Sequence, residues 1–335
     1  MGVDTWCPCK NSDNLSRSKL ITQKTVERRN FLKAAGMTVL ATTGVIRMQV
    51  SSAQQAVPNS SGTEPPRLKA PANAADCHIH IYDARFQSSD PALLNATVRD
   101  YRLLQKRIGV TRVVIVTPRN YVTDNSVTVD AIKQLGLQNA RGVAVLRPTV
   151  TDAEMKSLND GGIRGIRFTV GNPLTAVVSI DMIEPLAKRI AAFGWHVQLN
   201  MPADKIVENA DMLRRLPTQI VFDHMGQFPL PAGLAHPAYG VIRSLVDKGR
   251  AWVKISGAYL NTKIGPPTYA DATAIAQAYV KAAPERLVWG SDWPHPSPPV
   301  KPDDAVLFDL LTAWAPEEAT RNRILVANPE ALYSF

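Results

Sequence analysis

Cysteine is nearly absent. The chain has three in 335 residues, Cys7, Cys9 and Cys77. Two fall within the first ten positions, which leaves Cys77 alone for any fold built by the rest, and one cysteine makes no intramolecular disulfide. Its surroundings do not suggest a zinc finger either. No Gly-x-Gly-x-x-Gly follows the first apolar segment and no P-loop occurs, so dinucleotide and nucleotide binding have no support. A large excess of one charge is also missing. The formal net charge is +9, but residues 1–53 hold 8 Lys/Arg and 3 Asp/Glu. The totals of 38 and 29 then leave 30 basic and 26 acidic residues, a net of +4 that does not argue for nucleic acid.

Long hydrophobic runs are lacking too. The stretch Ala34 to Val45 is too short and too rich in small residues to be a stable membrane anchor. It follows Arg28-Arg29-Asn30-Phe31-Leu32-Lys33, and together they resemble a twin-arginine export signal. That resemblance implies an exported, periplasmic protein, folded before it meets the twin-arginine export machinery. Ser51-Ser52-Ala53 suits signal peptidase, which places the signal at 1–53 and the mature start near Gln54. Residues 54–73, with Pro65-Pro66 and Pro71, read as a linker or extended lead-in.

What is present begins at Asp76-Cys77-His78-Ile79-His80, inside a short apolar segment. Side chains two apart on a strand share a face. His78 and His80 are therefore expected to project together, able to bind a metal or polarise a carbonyl, with Cys77 packed on the opposite face. Two incidental histidines are the plainer alternative.

From Ala74 onward the chain alternates. Short apolar runs lie at 76–82, 113–117, 142–146, 163–168, 196–199, 220–222, 252–256 and 287–289. Amphipathic stretches separate them, at 100–108, 127–135, 152–158, 181–193, 203–213, 239–248 and 270–282, and two more follow at 302–311 and 316–326. Such alternation predicts parallel βαβ units. Eight repeats in this length predict a single-domain α/β fold over 74–335, a (β/α)8 barrel. An open doubly wound sheet is the alternative and usually has fewer strands.

Active sites of such barrels lie at the C-terminal strand ends. There the sequence places His78 and His80 (first strand), Arg167 (fourth), Gln198 or Asn200 (fifth), His224 (sixth) and Asp292 (eighth). His196 starts its strand and reads as structural. Asp223 is expected to face away from His224 and pair locally. His295 could orient Asp292 or line the mouth. His236 reads as surface, Arg164 as a barrel-side ion pair, and Tyr82 and Tyr121 as candidate pocket residues.

These segments resemble the amidohydrolase superfamily, and within it the branch that acts on lactones, over roughly residues 70–335. The carriers are Asp76–His80, Thr123-Asp124-Asn125, Arg164-Gly165-Ile166-Arg167-Phe168, Phe222-Asp223-His224-Met225-Gly226 and Trp289–Pro296. The resemblance implies a hydrolase or isomerase of a small carboxylated lactone, with Asp292, His78, His80 and His224 catalytic. Many members end strand five with a metal-binding histidine. Here Asn200 stands there, a poor zinc ligand, which is nearer to the branch that works without metal. Zinc on His78, His80 and Asp292, in a hydrolase or decarboxylase, is the alternative. A non-catalytic periplasmic binding protein is a third reading. Lactonases that take a pyrone dicarboxylate hold it with arginines after strands four and seven, and the matching places here are Pro173 and Leu260. Arg167 remains as an anion contact, with Arg119 able to supply another and Tyr82 and Asn200 to complete the pocket.

Overall fold

The structure, a computed structural model, describes residues 55–90, 94–171, 176–260 and 262–335. The export-signal segment and Pro173 lie outside the described residues. Among the latter, eight strands run in chain order: β1 Ala75–Ile79, β2 Arg112–Val116, β3 Ala140–Ala144, β4 Ile163–Thr169, β5 His196–Asn200, β6 Ile220–Phe222, β7 Ala251–Ile255 and β8 Leu287–Trp289. Each pairs in parallel with the next. The residues after β8 close the ring on β1. Asp292 N–H donates to His78 O at 2.8 Å and His80 N–H to Trp293 O at 2.8 Å. The fold is therefore the expected (β/α)8 barrel.

The helices are α1 Val98–Ile108, α2 Ser126–Leu135, α3 Asp152–Asp160, α4 Ile183–Ile190, α5 Ala203–Glu208, α6 Ala210–Arg215, α7 Pro237–Asp247, α8 Ala270–Ala282, α9 Asp304–Trp314, α10 Glu318–Asn322 and α11 Asn328–Tyr333. They pack their apolar faces on the outside of the barrel. Phe222, Trp289, Trp195 and Phe308 are all under 2% exposed there, and burying one such side chain contributes about 1.5–3 kcal/mol. One helix expected over 203–213 is two, broken at Asn209. The Asn209 side-chain amide donates to Lys205 O at 2.8 Å, the local competition that makes asparagine a weak helix residue. The run at 316–326 continues through a π-helical turn, Arg323–Ala327, into α11.

Strand register sorts the side chains. Arg167 pairs with Gln198, Gln198 with Val221, Val221 with Trp252 and Lys254 with Val288, so these residues share the interior face. The Tyr333 ring closes the barrel base. It meets His196 of β5 edge-on, with Lys254 of β7 about 6.0 Å from its centroid. His196 is buried there, below the pocket, as a structural residue.

Cys77 corrects an expectation. It is buried as predicted, but in the interior cluster with Val114, Val221, Val288 and Tyr333, not on the outer face. The ladder between β1 and β2 shifts register between Asp76 and Ile79. An extra residue in a strand breaks the two-residue alternation, so Cys77 and His78 both turn inward. The Asp76 carboxylate accepts the His78 N–H at 3.2 Å and stabilises this kink. The lead-in also differs from a free linker. Val57 is buried in the core, Arg107 donates to Glu64 O, and the Leu68 N–H donates to Asp309.

Candidate active site

Four side chains converge at the C-terminal mouth. Nε2 of His78, His80 and His224 lies 3.5, 3.7 and 4.0 Å from Asp292 Oδ1, and the two first-strand Nε2 atoms are 3.3 Å apart. These residues come from β1, the turn after β6 and the turn after β8, so chain closure assembles them. Asp292 and His224 have φ of +66° and +48°. A non-glycine residue in that region is strained and persists where surrounding contacts over-determine it.

Contacts behind the rings fix the orientation of His80 and His224. His80 Nδ1 lies 2.7 Å from Val116 O. A carbonyl only accepts, so Nδ1 carries the proton and neutral His80 offers its Nε2 lone pair to the site. His80 therefore has no N–H to offer a carbonyl at the mouth. His224 Nδ1 is 3.0 Å from Ser256 Oγ. Tyr259 Oη donates to Asp292 Oδ2 at 2.6 Å, which leaves Oδ1 to face the histidines. Behind Tyr259 stands His295 Nδ1 at 3.1 Å, and His295 Nε2 meets Asp304 at 3.1 and 3.2 Å. His295 thus reaches Asp292 through a tyrosine and does not line the cavity.

Asp223 is the second correction. It faces inward, beneath His78, rather than away. Its Oδ2 accepts from Arg167 Nε at 2.9 Å and Gln198 Nε2 at 3.1 Å, and its Oδ1 lies 3.3 Å from His78 Nδ1. Burial would raise its carboxyl, but Arg167, His78 and Lys254 outweigh that and hold it well below the usual range. The sign is the same for Asp292, where burial is overcome by His224, His78, His80 and the Tyr259 hydroxyl. Burial pushes His80 down to about 4, helped by the Arg167 charge, and pushes His78 and His224 down as well. The site therefore holds ionised carboxylates beside neutral imidazoles near neutral pH.

A cavity of about 670 Å³ opens above this group. Its lining includes His80, Tyr82, Arg119, Arg167, Asn200, His224 and Asp292. Of the expected catalytic and substrate-binding residues, His78 lies beneath it, as does Gln198. Leu260 lines the mouth, and Arg119, Arg167 and Asn200 also border an adjoining cavity of about 230 Å³. Tyr121 instead holds the Asp83 backbone through its hydroxyl, His236 caps α7, and Arg164 donates to the carbonyls of Asn159 and Ile163. Sequence reasoning missed Tyr259 and Lys254. Lys254 had a signal, being a lone charge within the apolar strand Ala251–Ile255.

Residues 75–335 match the family profile described as Amidohydrolase. The chain belongs to the amidohydrolase family. Among curated amidohydrolase relatives, it is 32% identical to a 2-pyrone-4,6-dicarboxylate hydrolase of Comamonas testosteroni, over 80% of this chain and 92% of that one. It is 31% identical to a D-galactarolactone isomerase of Agrobacterium fabrum, over 82% and 95%. A solved apo structure from Agrobacterium tumefaciens is 30% identical, with a TM-score of 0.74, covering 83% of this chain and 98% of that one.

Amidohydrolases often hold a metal, and the residues present fit one. Among the described residues, His78, His80 and Asp292 form one possible ligand group and His78, Asp223 and His224 another. The donor separations of 3.3, 3.5 and 3.7 Å in the first group are close to the edges of a tetrahedron around zinc, about 3.4 Å for bonds of about 2.1 Å. Asn200 points its side chain to Gln227.

Proposed function

We propose that this amidohydrolase opens the ring of a small carboxylated lactone by hydrolysis, with Asp292 as general base and without a metal. The observation that carries the reading is Asp292 Oδ1 within 3.5–4.0 Å of three imidazole Nε2 atoms beside the 670 Å³ cavity. Two curated relatives are named for ring lactones bearing carboxylates or their sugar-acid counterparts, which supports the substrate class.

Asp292 Oδ1 takes a proton from a water resting against the lactone carbonyl carbon. The oxygen of that water adds to the carbon, and the carbonyl oxygen takes up the negative charge. N–H from His224, when its Nε2 carries the proton, stabilises this oxyanion, and His78 beneath the cavity holds the His80 ring. Collapse breaks the bond to the ring oxygen, which recovers the proton from Asp292 and leaves an open-chain hydroxy acid. Arg167 and Arg119 border the cavity where a substrate carboxylate would rest, and arginine suits that pairing. Asp223 holds the Arg167 guanidinium by its Nε. An isomerisation needs only a substrate hydroxyl in place of the water, with the same base.

A zinc-dependent reading is favoured by the donor separations. A zinc ion held by His78, His80 and Asp292 would supply electrophilic polarisation of the carbonyl. Protein purified without chelator separates the two, since stoichiometric zinc required for turnover supports the second. Asp292→Asn should lower kcat about 10²–10⁴-fold on sugar-acid or aromatic-pathway lactones, the usual worth of a general base. Turnover near wild type in that variant would overturn the role. The export signal and periplasmic location belong to the same proposal and rest on Arg28-Arg29-Asn30-Phe31-Leu32-Lys33. A periplasmic form beginning near Gln54 supports them, and one beginning at Met1 contradicts them.

A further inference from the structure

Lys254 lies on β7, fully buried, one layer below the histidines. Its ammonium donates to Cys77 O at 2.8 Å and stands 3.4 Å from His78 Nδ1. An ammonium has protons and no lone pair, so toward Nδ1 it can only donate. Asp223 Oδ1 lies 3.3 Å from the same nitrogen, can only accept, and has no hydrogen-bond partner. His78 Nδ1 thus stands between a donor and an acceptor. Whichever it answers decides what the other end of the ring presents to His80 and Asp292.

The contact at that other end selects between them. His80 has its proton on Nδ1, committed to Val116 O, so its Nε2 is a lone pair. His78 Nε2 sits 3.3 Å from that lone pair, and a hydrogen bond there requires the proton on His78 Nε2. Neutral His78 then has a lone pair at Nδ1, which Lys254 satisfies. Three of these contacts are met by one directed row, Lys254 to His78, His78 to His80, His80 to Val116 O, while Asp223 Oδ1 is left with the Lys254 ammonium 3.9 Å away.

We propose that Lys254 is a positioning residue that sets the tautomer of His78, holding its Nε2–H toward the His80 lone pair and disfavouring a divalent cation at His78, His80 and Asp292. The inference rests on the metal-independent reading above. A cation at Nε2 needs the lone pair there, which moves the proton to Nδ1 and points it at the Lys254 ammonium. Without Lys254, Asp223 Oδ1 becomes the natural partner of Nδ1. That is the carboxylate–histidine arrangement which supports zinc ligands. The fold therefore carries both settings, and one lysine chooses between them.

The test compares wild type with Lys254→Met. Ring ¹⁵N shifts of His78 report which nitrogen bears the proton, and calorimetric zinc titration reports affinity. Metal-free wild type should show the Nε2–H form. Lys254→Met should show Nδ1–H and bind zinc roughly 10–100-fold more tightly, the usual effect of an outer-shell change at a zinc site. Unchanged ring shifts and zinc affinity in the variant would overturn the inference. So would Nδ1–H on His78 in metal-free wild type, a result that stands even if the variant fails to fold. Stoichiometric zinc required by wild type instead overturns the metal-free reading, so the two failures are told apart.

Discussion

Asp292 has two oxygens in two environments. Oδ2 receives the Tyr259 hydroxyl at 2.6 Å, while Oδ1 faces three imidazoles. Tyr259 is held in turn by His295, and His295 by Asp304. The row fixes the rotamer of Asp292 from residues that do not line the cavity. Hydrogen bonds to a charged group contribute about 1.5–3 kcal/mol, so Tyr259→Phe should lower kcat roughly 10–100-fold with little change in KM. Steady-state kinetics check this. A variant that loses only KM would place Tyr259 in substrate binding instead.

At the scale of elements, the barrel has one seam where closure rests on few backbone bonds, between β1 and the residues after β8. Asp76 clasps it. Its carboxylate accepts Ser291 Oγ at 2.6 Å, Ser291 N–H at 2.9 Å, Tyr101 Oη at 3.3 Å and the His78 N–H at 3.2 Å. One side chain thus joins β1, α1 and the β8 turn, and it also supports the kink that turns His78 inward. Asp76→Ala would leave several buried donors without a partner, each worth about 1–3 kcal/mol. Denaturant unfolding should show a loss of more than about 2 kcal/mol. A stability within error of wild type would mean that the ladder alone closes the ring.

Over the whole molecule, buried ionisable groups make stability depend on pH in a definite direction. His80 and His196 are pushed from an ordinary 6.5 down to about 4 and about 3, both by burial first. His78 and His224 shift the same way. As pH falls below 6.5 the unfolded chain takes up protons that the fold refuses, so stability drops until the folded-state values are reached. Asp76 opposes this. Burial raises it from 3.8 to about 7, so the fold binds that proton first and gains as pH falls through the same window. Four histidines against one acid give a net loss. Tm should fall as pH is lowered from about 6.5 to about 4. Melting curves across that range check it, and a rising Tm would show that Asp76 dominates.

The alternation of short apolar runs with amphipathic stretches was enough to specify the barrel, because hydrophobic period depends on local residue order alone. The same periodicity placed His78, His80, Arg167, His224 and Asp292 at strand ends, where this fold builds its sites. Three things were illegible. The inward turn of Cys77 and the inward placing of Asp223 depend on a register shift and on the path after β6, which no run of residues displays. The tautomer of His80 depends on Val116 O, and that of His78 on Lys254 and Asp223, partners 36, 176 and 145 positions away. The support of Asp292 by Tyr259 and His295 depends on two loops meeting. Sequence determines which groups can ionise or donate. Only the packed chain decides which neighbour each one faces, and at hydrogen-bond range that neighbour sets where the proton sits.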